Sequence, residues 1–528
     1  MLYNYNDMVR IIVGGPNNFY DQLSAVIFNN LIAMFGSILA NNIYVILNLL
    51  VCLFITYKLV KSLKLSTAVS IITALTYSLS PYFIFRVISY TPSLYCIWLF
   101  PLLIFLLNKN AKLRYILIFL LVAIFLSNYY GYFCYFIFLF WRSYDVLRKK
   151  LKWTRAFREV IAVTFGMILC CLIFILPVLE TNLPIFGSYF KNTHEKTTTY
   201  RIYRPIEDIY NLSLRPWYFL IPPKTSLFFG DISQIAYSKI EGTGNYLTTS
   251  YTEEEMAGAY IGWQYIIGFI VVLVLLVMER KRVAVSTTFP SVVLNKYNIQ
   301  RFFYIIILIL CVSGPPTISV FGLKIYTPTY VLYYIVPIFR TLVRWELVIF
   351  LFVLLTCAYL IDDILNWNSS KFYKCVLVTG LFCLNITIFA IKLPVINICN
   401  VPLEYQYISS FKGENYIVFP KGDYYSIFWG WVSHVNLNNP VDNYNKDLAL
   451  QPDQLIPSLF HADVNSLFLK EHNINLLVYY PRNISADLLS KVHAENAAIN
   501  RVQDLTMYLN LHYGIPVSKN GALIYLIK

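Results

Sequence analysis

Two carboxylates near the start of the chain and three arginines far from them in sequence are the side chains best suited to chemistry. Asp7 lies in Tyr5-Asn6-Asp7-Met8 and Asp21 in Phe19-Tyr20-Asp21-Gln22. A carboxylate at the rim of a membrane cavity is a natural general base, because partial burial moves its pKa toward the working range. The plainer readings are a solvated loop charge for either residue and a helix cap for Asp21, which precedes a helical pattern. Arg86 closes the run Pro81-Tyr82-Phe83-Ile84-Phe85-Arg86, while Arg340 and Arg344 bracket Arg340-Thr341-Leu342-Val343-Arg344. A spacing of four puts the last two on one helical face. Guanidinium groups bind phosphate oxygens through paired hydrogen bonds and stabilise a departing phosphate. The alternatives for each arginine are a lipid-headgroup contact or a salt bridge to the segment 179–259. That segment carries Glu180, Glu207, Asp208, Asp231 and the run Glu253-Glu254-Glu255. Any of these acids could place an acceptor hydroxyl or a cation, although a run such as 253–255 reads first as a solvated face.

The elements that must position these groups are hydrophobic spans. The chain is 58% hydrophobic and only 13% charged, which marks a polytopic membrane protein and not a soluble core. Apolar runs of roughly 20 residues, enough to cross a bilayer as helices, fall near 40–59, 66–86, 93–108, 115–129, 131–147, 160–178, 259–279, 302–321, 342–361 and 373–393. The segment 22–37 mixes apolar and polar residues and suits a helix lying at the interface. The short apolar segment 327–341 contains Pro337 and suits a re-entrant or interfacial element. Tyr129-Tyr130-Gly131-Tyr132 at a span end reads first as part of an interfacial aromatic belt, and second as the lining of a sugar-binding cavity.

Basic clusters alternate with these spans: Lys58/Lys61/Lys64, Lys109/Lys112/Arg114, Arg148 to Arg158, Arg280/Lys281/Arg282 with Lys296/Arg301, and Lys371/Lys374. The positive-inside rule places them in the cytoplasm. Segments 1–39 and 179–259 and everything from 399 onward then share the outer face. The net charge of +14 therefore reports topology and contact with anionic lipid heads, not affinity for nucleic acid. Residues 399–528 hold nine Lys/Arg against eleven Asp/Glu, which is slightly acidic. The ten cysteines lie in or beside apolar segments, so no disulfide framework is expected outside, and the six histidines form no metal-ligand pattern. The polar opening MLYNYNDMVR does not read as a cleavable signal peptide, and none is expected.

The expected fold is an all-α polytopic membrane domain of about ten transmembrane helices over 1–398, followed by a small extracytoplasmic α/β domain over 399–528. In the latter, strand-like runs at 416–419, 475–480 and 523–527 alternate with helical patterns near 455–472 and 485–510. No Walker loop, dinucleotide fingerprint or metalloprotease helix is present, which removes the usual support for ATP-driven transport and nucleotide-sugar chemistry. A group-transfer enzyme whose working surface faces away from cytoplasmic nucleotides must draw on a lipid-borne substrate.

The order of features resembles the GT-C superfamily of membrane glycosyltransferases. The residues carrying the likeness are Gly14-Gly15-Pro16 with Asp21, then Asn41-Asn42-Ile43-Tyr44, then Ser80-Pro81-Tyr82 ending in Arg86. Tyr260-Ile261-Gly262-Trp263, Arg340 with Arg344, and the closing Gly514-Ile515-Pro516-Val517 before a final strand resemble its YfhO-like branch. The resemblance implies a polyprenyl-phosphate-linked sugar donor, an active site outside the cytoplasm, and an acid of the first external loop acting on the acceptor, the position that Asp7 matches. Members of the family begin with a transmembrane helix ahead of that loop, and this sequence starts at the loop. The expected partners are the lipid-linked donor, a glycan, lipid or protein acceptor, and membrane lipids; the expected location is the plasma membrane. The scheme needs no cofactor, although oligosaccharide-transferring relatives use a divalent metal. The rival readings are a flippase or transporter of lipid-linked saccharides, which predicts ionisable groups at mid-span, and a non-catalytic membrane scaffold.

Overall fold

A computed structural model describes residues 22–88, 91–169, 206–240, 257–280, 290–320, 323–335, 341–367, 370–390, 402–411 and 414–419. It also describes 436–437, 456, 459–460, 474–484 and 486–527. The chain forms two compact units, a larger one over Asn18–Glu195 and Arg201–Pro394 and a smaller one that takes in Val395–Lys528.

The larger unit is helical. Its first half runs α1 (Gln22–Phe35), α2 (Ser37–Ser62), α3 (Thr67–Ser78), α4 (Pro81–Ile88), α5 (Leu99–Asn108), α6 (Leu113–Leu126), α7 (Asn128–Leu147) and α8 (153–169). Its second half runs α9 (Ile206–Leu212), α10 (Gly230–Ile240), α11 (Trp263–Arg280), α12 (Pro290–Leu294) and α13 (Lys296–Ser313), then a hairpin of β1 (Thr317–Val320) and β2 (Leu323–Tyr326). It closes with α14 (Pro328–Ile335), α15 (Glu346–Trp367) and α16 (Lys371–Phe389). Among the described residues, four helices are long and apolar enough to cross a membrane: Leu39–Ser62, Thr67–Ile88, Lys296–Ser313 and Leu342–Asn366. The protein is a multi-pass membrane protein. Shorter apolar helices accompany these four, so the expectation of about ten full spans is too simple. Proline accounts for two of the differences. Pro92 starts a separate 3-10 turn, Pro92–Leu94, which leaves α5 only 10 residues long, about 15 Å and half a hydrocarbon core. Gly314-Pro315-Pro316 stops α13 at Ser313, where a span to 321 was expected, and the following residues pair as the β1–β2 hairpin. The membrane unit is therefore not purely α-helical.

α15 is the central helix, buried along most of its length, whereas α2 leaves Ile46, Leu47, Leu50 and Phe54 exposed on its outward side. Its adjacent acids Asp362 and Asp363 take up backbone N–H groups at the starts of two other helices. Asp362 accepts from Ser66 ahead of α3 at 3.0 Å, and Asp363 accepts from Val292 in α12 at 3.0 Å. Helix N-termini carry orphan donors and positive dipole ends, so carboxylates there are doubly stabilising. The same end of the unit holds Asp145, which binds Arg301 at 2.6 Å and the Tyr297 hydroxyl at 2.6 Å, and the basic clusters read as cytoplasmic. Near the end of each helix, Asn385 of α16 accepts from Tyr265 of α11 and donates to Thr76 of α3, each at 2.8 Å. This neutral tie joins three helices by hydrogen bonds that lipid cannot replace.

The smaller unit contains α17 (Leu403–Ile408), β3 (Asn415–Phe419), β4 (Asn436–Leu437), β5 (Ile474–Tyr479), α18 (Ala486–Glu495), α19 (Val502–Tyr513), β6 (Val517–Lys519) and β7 (Ala522–Leu526). The sheet order is β4-β3-β5-β7-β6, with β4, β3 and β5 parallel and β7 and β6 antiparallel. Alternation along the strands sends Tyr416, Val418, Leu476, Val478 and Ile524 to one face, against Tyr405 and Ile408 of α17. Ile417, Phe419, Leu477, Tyr479 and Tyr525 go to the other, against Val492, Leu505 and Leu509 of α18 and α19. Asn520-Gly521 has positive φ at both positions (50° and 81°), which lets a two-residue turn close the β6–β7 hairpin. With a core on each sheet face, residues 395–528 produced alone should unfold cooperatively on heating, followed by circular dichroism. An aggregated product without a melting transition would show that this unit depends on the larger one.

Candidate functional site

At the end of the larger unit opposite the Asp145 and Asp362/Asp363 contacts, three buried charged side chains gather around two tyrosines. Arg86 is the first. Pro81 opens α4 after α3 ends, because proline suits the first turn of a new helix and cannot continue an old one. The restart gives an eight-residue helix whose Tyr82, Phe83, Phe85 and Arg86 are buried. Tyr82 and Arg86 are one turn apart, and the guanidinium lies 4.9 Å from the Tyr82 ring centroid. Arg86 is only 2% exposed, so it is not a headgroup-facing surface residue.

Arg344 reaches the same place from the other side of the sequence. It sits in the 3-10 turn Leu342–Trp345 that leads into α15. Trp345 seats this turn by stacking on Phe133 at 4.0 Å and meeting Phe136 edge-on at 6.4 Å. Those rings share the inward face of α7, one turn after Tyr129, and the Arg344 guanidinium lies 4.4 Å from the Tyr129 ring. Tyr130, next along α7, has its hydroxyl 2.8 Å from the Leu94 carbonyl and 3.1 Å from the Tyr82 hydroxyl. The two arginines thus stand on neighbouring rings, Arg86 over Tyr82, whose hydroxyl bonds Tyr130, and Arg344 over Tyr129, which precedes Tyr130. Tyr130 is fully buried and does not belong to a lipid-facing belt.

The third charge is Glu346, fully buried in the first turn of α15. Reading 342–361 as an apolar span hid it; the signal available was a carboxylate two residues beyond Arg344. Gly258 explains how it fits. A Cβ built there would lie 2.6 Å from Glu346 Oε1, 2.8 Å from Tyr82 Cα and 2.9 Å from Tyr82 Cδ2. Only glycine lets the Ala257–Ala259 turn pass between the carboxylate and α4. Four residues on, Gly262 has φ +94° at the start of α11 and packs against Ile388, which accounts for glycine in Tyr260-Ile261-Gly262-Trp263.

Arg86 and Arg344 are thus brought together. Asp7, Asp21, Arg340, Glu180 and Glu253 to Glu255 lie outside the described residues. α9, which carries Glu207 and Asp208 in its first turn, packs against the Leu342–Trp345 turn. Asp231 is exposed in the first turn of α10. Arg215, also deeply buried, donates back to the Ser213 and Tyr210 carbonyls at 2.6 Å each and so braces its own loop. The described residues bring together no set of three or more His, Cys, Asp or Glu side chains of the kind that holds a metal ion.

No family model and no curated protein matches the chain. Among solved structures it is similar to the arabinofuranosyltransferase AftD from Mycobacteria, at 12% identity and TM-score 0.47, over 95% of this chain and 34% of that one. It is similar to the Archaeoglobus fulgidus oligosaccharyltransferase solved with Zn and sulfate, at 11% identity and TM-score 0.41, over 100% of this chain and 69% of that one. It is also similar to ArnT from Cupriavidus metallidurans bound to undecaprenyl phosphate, at 11% identity and TM-score 0.38, over 96% of this chain and 88% of that one. The chain spans about a third of the length of AftD.

Proposed function

We propose that the protein is a membrane glycosyltransferase of GT-C type that moves a sugar from a polyprenyl-phosphate donor to an acceptor on the extracytoplasmic side. The observation that supports this best is the pairing of Arg86 and Arg344 about the Tyr82 and Tyr129-Tyr130 rings, at the end of the bundle away from the basic clusters. Two guanidinium groups in a buried, aromatic-walled site are suited to a phosphodiester: each can offer paired N–H donors, and the low-dielectric surroundings strengthen the attraction. Arg340 is assigned to the same task. In the reaction, an acceptor oxygen forms the new bond to the sugar's anomeric carbon as the bond from that carbon to the phosphate oxygen breaks. The bonding pair leaves with the phosphate, and the acceptor proton passes to the Asp7 carboxylate, or to Asp21 if Asp7 does not serve. Negative charge grows on the departing phosphate, where fixed positive charge lowers the barrier most. The donor, a polyprenyl-phosphate-linked sugar, reaches this site through the membrane, and the acceptor is a glycan, lipid or protein. The transporter alternative predicts charges at mid-span, whereas the buried charges of the described helices lie toward the two ends, Asp145, Arg301, Asp362 and Asp363 at one and Arg86, Arg344 and Glu346 at the other.

Arg86→Ala and Arg344→Ala should each weaken binding of a polyprenyl-phosphate sugar roughly 10- to 100-fold, as expected for losing a charge-assisted contact, and slow transfer as well. Binding and transfer are measured on the purified full chain in detergent or nanodiscs. Unchanged binding and turnover in both variants would remove the phosphate assignment.

A further inference from the structure

We propose that Glu346 sets the charge of the phosphate site, favouring the singly charged phosphodiester of a donor over the doubly charged monoester that remains when the sugar has left. This rests on reading Arg86 and Arg344 as the phosphate ligands. Two arginines alone would hold a dianion more tightly than a monoanion, so the spent lipid would compete with fresh donor for its own site. A carboxylate fixed nearby repels the second negative charge and reduces that preference.

The geometry supplies such a carboxylate. Glu346 is fully buried, and its Oε1 stands 2.6 Å from where a Gly258 Cβ would be, with Tyr82 pressed against the same point at 2.8–2.9 Å. The Tyr82 ring in turn lies 4.9 Å from the Arg86 guanidinium. Glu346 and Arg86 therefore share Tyr82 as a neighbour, the carboxylate across the Gly258 turn and the guanidinium over the ring. Glu346 follows Arg344 by two residues, a spacing that does not put side chains on one helical face, so the two charges reach the site from different directions. Among the described charges converging here, two are positive and one is negative. The bland alternative is that Glu346 only complements the N-terminal dipole of α15. That role would change stability but not the response to ligand charge.

The test uses the purified full chain in nanodiscs at pH 8, where a phosphate monoester with a second pKa of about 6 is dianionic. The probes are a polyprenyl monophosphate and its methyl diester, and the readout is the ratio of their dissociation constants, monoester over diester. Glu346→Gln should lower this ratio roughly 10- to 30-fold, the effect of one charge several ångströms away in a partly screened site. Glu346→Asp should keep it near the original value. Glu346→Leu, which removes the charge without leaving a polar group buried, should lower the ratio in the same direction and supplies the readout if Glu346→Gln does not fold. An unchanged ratio in every variant that shows a cooperative melt overturns the proposal. Arg86→Ala and Arg344→Ala separate the two levels of inference. If they weaken both lipids while the Glu346 ratio stays put, only the charge-setting role falls. If they weaken neither, the phosphate site itself falls, and Glu346's role with it.

Discussion

Replacing Asp7 with asparagine is expected to abolish sugar transfer while leaving donor binding close to normal. Amidation keeps the size and shape of the side chain but removes its capacity to accept the acceptor's proton. General-base contributions are typically about 100- to 10,000-fold, so the loss should be plain in a simple turnover assay. The contrast with the arginines makes the experiment informative. A guanidinium touches both the bound donor and the departing phosphate, so its removal changes binding and rate together, whereas loss of a base leaves KM for the donor nearly untouched. The assay is transfer from a polyprenyl-phosphate sugar in detergent or liposomes, with donor binding measured in parallel on the same preparations. Near-normal turnover by the Asp7→Asn protein would end that assignment, and Asp21, followed by the acids of 179–259, would be examined next.

The second large effect is on stability and arises at the opposite end of the bundle. Asp145→Ala is expected to destabilise the protein by about 3–5 kcal/mol, the usual consequence of leaving one member of a buried ion pair behind. Arg301 and Asp145 side chains are 8% and 10% exposed and meet at 2.6 Å. Asp145 also receives the Tyr297 hydroxyl at 2.6 Å and faces Arg142 at 3.7 Å. The Arg301 guanidinium lies 4.1 Å from the Trp141 ring and 4.5 Å from that of Tyr297, so it cannot swing into water without giving up both aromatic contacts. Removing Asp145 therefore strands a charge inside an aromatic box. Thermal unfolding in detergent should show a marked drop for Asp145→Ala and recovery of much of it when Arg301→Met is added, because a pair of apolar side chains carries no desolvation cost. Equal destabilisation in the single and double variants would mean that packing and not charge dominates at this site.

Much of the architecture was legible because membrane insertion writes itself into local sequence. Apolar length and the alternation of basic clusters located α2, α7, α11 and α16 to within about four residues and α13 and α15 with larger shifts at their ends, and the runs at 416–419, 475–480 and 523–527 correspond to β3, β5 and β7. Local signals also marked features that hydropathy alone overlooks. Pro92 opens a 3-10 turn that takes up the start of the expected span 93–108, Pro315-Pro316 ends α13, and Asn520-Gly521 closes a hairpin. These were there to be read, but a hydropathy average dilutes a single proline or glycine among many leucines.

The candidate site was legible only in part. Sequence alone determined that Arg86 and Arg344 stand at span ends against the charge bias, which is a local property of each segment. That Arg86 on Tyr82 and Arg344 on Tyr129 come to neighbouring rings was settled by tertiary packing: Trp345 docking on Phe133 and Phe136, and Tyr82 meeting Tyr130 from 48 positions away. Glu346 is the sharpest case. In one dimension it is a lone acid at the edge of an apolar run; in three it lies against a glycine more than eighty positions earlier, because only a residue without a side chain leaves room for it beside Tyr82. Hydrophobicity and charge bias act along the chain and are recorded segment by segment, whereas the neighbours of a buried charge come from whichever helices the packed core brings alongside, and no local pattern records that choice.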